Sequence, residues 1–283
     1  MFHLKNNELD VEILDPIIDR KLLGSRYCTG CYIFQIKDSK LGNLLSGPQY
    51  PNLPYNVFDG QGTPEVFINA LNQENAQMGE DVLVLGVGTV ERTSPNLPFH
   101  VLDNPKVTEF CTWEIEEKGD CIAMKTLQKF GNWQLIINKK ITLIERSVTS
   151  YTTITNIGLA PIPLKWFAHP FFPFPSNLMC CKFIDPFAMA PNAGYFINNQ
   201  GFIEMKPEYD WKKGLFQKIE YNAENLFSVL QYHPLLGNIS VTSDFVPTSL
   251  AIWANAQTFS FEPFYEANIP LENSRSWSIR YLF

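Results

Sequence analysis

Residues 133–156 read WQLIINKKITLIERSVTSYTTITN. The run Trp133–Ile144 follows a Gly131-Asn132 turn, and a second run, Ser147–Asn156, comes almost at once. The second run is dense in Thr, Val, Ile and Tyr, whose stiff side chains suit a pleated surface better than a helix. Just upstream, residues 113–115 and 121–127 flank Glu116-Glu117-Lys118-Gly119-Asp120, a hairpin pattern around a Gly-Asp turn. Further strand patterns cover residues 81–93, 162–168, 249–253 and 276–283. Helical periodicity is weak throughout, and residues 66–73 give the best short helix candidate. Many antiparallel strands with short turns predict an all-β fold of sheets packed face to face. Sandwich, barrel and larger stack stay equally open. With no fixed-period repeat and no linker, residues 1–283 read as a single domain.

Composition agrees with the strand reading. The 22 Phe and 11 Tyr favour half-buried sheet surfaces, while 20 Pro and 16 Gly supply turns. A net charge of -7, with basic residues clustered no further than Lys139-Lys140 and Lys212-Lys213, argues against nucleic acid as a partner. The start, MFHLKNNELDVEILD, lacks the basic-then-apolar order of a secretory signal, and no apolar run approaches membrane-spanning length. A cytoplasmic protein is therefore expected, with its six cysteines reduced. Cys28-x-x-Cys31 has the spacing of half a zinc site or a redox pair, but no second CxxC follows. Small core residues are the preferred reading, and no metal is expected.

Four histidines occur, at positions 3, 100, 169 and 233. His169 lies within Trp166-Phe167-Ala168-His169-Pro170-Phe171-Phe172-Pro173. An imidazole there is either a core group satisfied by a carbonyl or a proton-transfer group walled by aromatics. Flat apolar rings also suit the C–H faces of pyranoses. Glu262 alternates with aromatics in Phe259-Ser260-Phe261-Glu262-Pro263-Phe264-Tyr265. A carboxylate so placed is a structural group bonded to backbone amides or a base with a raised pKa. The loop Asp59-Gly60-Gln61-Gly62-Thr63-Pro64-Glu65 lacks the Lys and the trailing Ser or Thr of a phosphate loop and reads as a tight turn. Gly86-Val87-Gly88 lacks the third glycine and the helix of a dinucleotide site, and no Gly-x-Ser-x-Gly elbow is present.

Several of these segments, in order, resemble one known family. They are Gly24-Ser25-Arg26-Tyr27-Cys28-Thr29-Gly30, Leu45-Ser46-Gly47-Pro48, Phe58 to Glu65, and Thr155-Asn156-Ile157-Gly158. The aromatic segment around His169 follows, then Ile252-Trp253 leading into Phe261-Glu262-Pro263. Together they resemble the aldose 1-epimerases, or galactose mutarotase-like proteins, and most closely a bacterial branch of them. The resemblance implies a β-supersandwich of large twisted antiparallel sheets. It also implies a chemistry in which a late Glu takes the proton of the anomeric hydroxyl while a mid-chain His protonates the ring oxygen. Glu262 matches that base and His169 that acid.

The resemblance is incomplete around the pair. Well-studied members carry a further His in a His-Gly pair where this chain has Gly86-Val87-Gly88. They carry an Arg where it offers Gln61 or Glu65, and an Asp where it has Asn225. Candidates for reading a substrate are therefore Gln61, Glu65, Arg26, Arg92 and Asn225, with Trp166, Trp253 and Phe261 as stacking platforms. The expected activity is interconversion of the anomers of an aldose or modified sugar, a small-molecule carbohydrate, with no cofactor. The alternatives are a non-catalytic carbohydrate-binding or regulatory protein and, more remotely, a lyase or isomerase of a sugar acid. Oligomeric state is not legible.

Overall fold

A computed structural model describes residues 1–52, 57–221 and 225–283, and nearly every regular element in it is a β-strand. Among the described residues only two single-turn 3-10 segments, Arg20–Leu22 and Trp211–Lys213, interrupt the strands. The architecture rests on two large antiparallel sheets. The ten-stranded sheet runs Glu114–Lys118, Cys121–Phe130, Trp133–Ile144, Ser147–Asn156, Ser274–Leu282, Gly237–Ser243, Ser228–His233, Met179–Phe183, Ile203–Met205 and Tyr195–Ile197. The seven-stranded sheet runs Phe187–Ala188, Leu215–Tyr221, Ser249–Ala254, Thr258–Ile269, Ile162–Ala168 and Glu65–Phe67, with Phe172–Pro173 added against Thr258–Ile269. Two four-stranded sheets, from Phe2 to Asn43 and from Ala70 to Phe110, flank them.

Side-chain alternation decides what each face meets. Along Trp133–Ile144, Leu135, Ile137, Lys139, Ile141 and Leu143 are buried and the intervening residues are more open. Their cross-strand partners Ile154, Thr152, Ser150 and Val148 share that face. So do Trp277, Ile279 and Tyr281 one strand further on. Against this face packs the inner face of the seven-stranded sheet. The Trp166 ring lies 5.4 Å from that of Trp277, and Tyr265 and Phe67 contact the same indole. Each aliphatic side chain sealed here contributes roughly 1.5–3 kcal/mol.

One charged pair lies inside this apolar layer. Lys139 and Glu65 face each other across the two sheets, joined by a direct Nζ–carboxylate contact. The Glu65 carboxylate also accepts from Ser150 Oγ at 2.5 Å and from the Trp166 indole N–H at 3.0 Å, while Lys139 donates to Thr152 Oγ1 at 3.1 Å. Lys139 and these hydrogen bonds hold the Glu65 carboxyl below the usual range although burial opposes them. Buried ions survive when their remaining lone pairs and protons are satisfied in this way.

Three local expectations change. Residues 66–73 are not helical: they form the strands Glu65–Phe67 and Ala70–Leu71. Pairing of Val66 and Phe67 with Phe167 and Trp166 outweighs the weak helical pattern, and Asn72, at φ 71°, turns the chain. Residues 81–93 split into Asp81–Val84 and Gly88–Glu91, because Gly86 at φ 69° makes a turn between them. In the 113–127 hairpin, Glu114–Lys118 and Cys121–Phe130 run closer together, leaving only Gly119-Asp120 as the loop. Trp133–Ile144, Ser147–Asn156 and Ile162–Ala168 fall where the sequence pattern puts them. Among the described residues no helix is long and apolar enough to cross a membrane.

Candidate active site

Strand register assembles the outer face of the seven-stranded sheet. On Thr258–Ile269, Tyr265 points inward to Trp277, so Glu262, three residues earlier, points to the other face with Ser260 and Phe264. Ala251 and Trp253 on the neighbouring strand pair with Glu262 and Ser260 and share that face. On the other side Phe167 pairs with Phe264, their rings stacked at 4.7 Å, and Val66 pairs with Phe167. His169 follows the end of Ile162–Ala168, its amide donating to the Pro64 carbonyl at 2.9 Å. This brings His169 Nε2 to 3.5 Å from Glu262 Oε1.

Aromatic rings wall the pair. The His169 ring lies 4.3 Å from Phe171, 5.8 Å from Phe167, 6.2 Å from Trp253 and 6.5 Å from Tyr27. Only 3% of His169 and 5% of Glu262 remains exposed, which decides their ionisation. Burial pushes the Glu262 carboxyl up to about 7, against a smaller downward pull from Arg26. Burial, reinforced by the Arg26 charge, holds the His169 imidazole well below its ordinary value. At neutral pH the imidazole is therefore neutral and the carboxyl close to half protonated. His169 Nδ1 lies 2.8 Å from Ser260 Oγ, which is 3.4 Å from the Phe261 carbonyl. The network is satisfied when Nδ1–H donates to Ser260, Ser260 donates to the carbonyl, and Nε2 keeps its lone pair toward Glu262.

The loop at residues 59–62 closes one side. Gly60 and Gly62 adopt φ of 72° and 80°. A Cβ on Gly62 would lie 2.3 Å from the Ile33 carbonyl, and one on Gly60 2.4 Å from the Tyr27 ring, so only glycine fits this approach. Tyr27 donates its hydroxyl to the Asp59 carbonyl and Tyr32 to that of Gln61, tying the loop to the site wall.

The candidate residues are sorted by this geometry. Arg26 and Trp253 join Glu262 and His169. Arg26 donates to the Phe58 carbonyl at 3.1 Å and lies over the Phe58 and Tyr27 rings. Gln61 sits in the adjoining loop, buried, its amide 3.3 Å from the Phe34 carbonyl. Glu65 and Trp166 face the inter-sheet core, since both lie on the inward parity of their strands. Phe261 is likewise an inner residue, stacked on Phe172. Arg92 is buried elsewhere, donating to the carbonyls of Gln73, Ala76, Ser94 and Pro95. Asn225 is exposed and donates to Asp185 at 2.9 Å. Ser260 and Tyr27 escaped the sequence reading, although Ser260 lies two residues before Glu262 and so on its face.

The cysteines lie apart from this site. Cys28 and Cys31 are buried free thiols, and burial pushes Cys28 up to about 12 and Cys31 higher still, so neither is a poised nucleophile. Among the described residues the one grouping with metal-ligand spacing is His3, Asp10 and Glu12, where Lys5 and Lys37 already pair with the carboxylates.

No protein-family model matches the chain, and no curated protein matches its sequence. Solved structures do. A galactose mutarotase-like protein from Lactobacillus casei is 11% identical, with 100% of this chain and 99% of that one covered and a TM-score of 0.59. A galactose mutarotase related enzyme from Lactobacillus acidophilus, 10% identical, aligns over 99% and 96% of the two chains, also at 0.59. An aldose epimerase homologue from C. elegans, 9% identical, aligns over 99% and 97% at 0.55. Coverage of both chains nearly end to end, despite such low identity, means that this chain has the galactose mutarotase-like fold.

Proposed function

We propose that the protein interconverts the anomers of an aldose or modified sugar by general acid–base ring opening and closure, with His169 and Glu262 as the proton-transfer pair. The observation that carries this reading is the 3.5 Å approach of His169 Nε2 to a buried Glu262 whose carboxyl is raised to about 7. Below about pH 7 the two groups hold one proton between them. In the productive form that proton is on His169, leaving imidazolium and carboxylate. Glu262 then takes the proton of the anomeric hydroxyl while His169 delivers its own to the ring oxygen. The C1–O5 bond breaks and the aldehyde forms. The pair is left as carboxylic acid and neutral imidazole, the state that burial favours. Rotation about C1–C2 and reversal of the transfers from the opposite face gives the other anomer. Protons balance over the cycle. Ser260, accepting from Nδ1–H, keeps the ring oriented in both states.

The likeness to mutarotase-like structures supports this reading only through the shared fold. A carbohydrate-binding protein without turnover is the second reading, and the near-complete burial of both groups favours it. Exchange NMR of anomers across neutral and acidic sugars separates the two. Turnover of at least one sugar, lost in Glu262→Gln and His169→Asn, supports the epimerase. Binding with every sugar at its uncatalysed rate selects the binding protein.

A further inference from the structure

Beside the catalytic face lies a cavity of about 210 Å³, lined by Arg26, Val66, Ile68, Phe99, Phe167 and Phe264 among others. Phe167 belongs to both places, since its ring contacts His169 and lines the cavity. Its volume equals about seven water molecules at roughly 30 Å³ each, room for a short substituent. Most of the lining is apolar. A sugar hydroxyl buried there would lose hydrogen bonds to water with few replacements.

The exceptions are His100, whose Nδ1 accepts from the Leu102 amide, and Arg26. Its guanidinium lies 4.5 Å from the Phe58 ring centroid and 5.0 Å from that of Tyr27, and Nη1 donates to the Phe58 carbonyl. These contacts fix the plane and use one of five N–H donors. Among the described residues no carboxylate forms an ion pair with Arg26. Asp59 accepts from Gln49 at 2.9 Å instead, and Glu262 stands against His169. A half-buried cation with free donors on the rim of an apolar cavity, next to a proton-transfer pair, is a receptor for an anionic tip on an apolar stem. A carboxylate fits one guanidinium in charge and in its two-pronged geometry, whereas a phosphate dianion would keep a charge uncompensated.

Resting on the epimerase reading, we infer that the substrate of this site is a sugar bearing a carboxylate-ended acyl or ether substituent, its stem in the cavity and its carboxylate on Arg26. Two probes of equal length test it, N-succinylglucosamine and the neutral N-butyrylglucosamine. Each is followed by anomer exchange and by chemical-shift titration, against wild type, Arg26→Gln and Val101→Phe, the last narrowing a cavity wall. The expected result is a preference of about 10- to 100-fold for the succinyl probe, the size of a charged hydrogen bond. Arg26→Gln should abolish that preference, whatever it does to overall rate through Glu262. Val101→Phe should weaken both probes relative to glucose. Equal binding of the two probes by wild type, or a preference that survives Arg26→Gln, overturns the inference. Should no probe be turned over while the Arg26-dependent binding preference persists, the epimerase reading fails and the anionic subsite stands.

Discussion

Glu65 and Glu262 lie on opposite faces of the same seven-stranded sheet, one closed into the inter-sheet core by Lys139 and the other held 3.5 Å from His169. Both are almost entirely buried, yet their carboxyls move in opposite directions, Glu65 down and Glu262 up to about 7. The difference is in their partners. Glu65 has an ammonium and three donors within reach, whereas Glu262 has a neutral imidazole and only the more distant Arg26 charge. The first arrangement stores an ion pair, and the second a mobile proton.

If that proton is the catalytic one, kcat/KM for anomer exchange should be level just below pH 7, fall close to tenfold per pH unit above it as the pair loses its last proton, and fall again in acid where the pair takes up a second. A pH–rate profile that instead rises through 7 would mean that the ionised carboxylate acts without a protonated partner.

Stability should carry the same signature. The folded Glu262 carboxyl titrates at about 7 against 4.5 unfolded, so the folded state holds the extra proton between those values. Its contribution is fully present below pH 4.5 and is lost as pH rises through 7, a swing of roughly 3 kcal/mol. His169 acts at the other end: its depressed value means that the unfolded chain takes up a proton first as pH falls below 6.5, lowering stability there. Because the two terms oppose each other below pH 6.5, the test is a difference: in urea denaturation from pH 4.5 to 8 the wild type should lose stability relative to Glu262→Gln as pH rises. A parallel decline in that variant would assign the slope to other groups.

Each proton-transfer group supplies a factor of roughly 10²–10⁴. Glu262→Gln and His169→Asn should therefore slow exchange by at least that lower figure, while circular dichroism remains that of the wild type. Ser260→Ala, which removes the acceptor for Nδ1–H, should lower kcat by up to about tenfold with KM little changed, the size of one hydrogen bond. A KM effect alone would make Ser260 a substrate contact instead.

Lys139→Met should destabilise the protein by about 3–5 kcal/mol, because Glu65 then remains buried without its cation. The double variant Lys139→Met/Glu65→Gln should recover most of that loss. Sugar binding measured in the double variant should match wild type, since neither residue faces the site. A loss of sugar affinity there, with stability restored, would return Glu65 to the substrate-reading group.

Sequence by itself determined the all-β class and the strands that carry the site. Period-two burial and β-branched density over residues 133–156 are local properties, and local properties survive without the partner sheet. It also singled out His169 and Glu262, because a lone imidazole and a lone carboxylate among aromatics contrast with their neighbours whatever the fold. It misread residues 66–73, whose form is set by pairing with a strand about a hundred residues away. The face of each polar residue was a tertiary decision. Glu65, Gln61 and Arg92 look equally available in the chain, and only register and sheet stacking send Glu65 to Lys139, Gln61 into a loop wall and Arg92 to four carbonyls. Opposite faces of a strand differ by one residue in sequence but open onto different environments, so the partner that fixes a charge is known only when the sheets are packed.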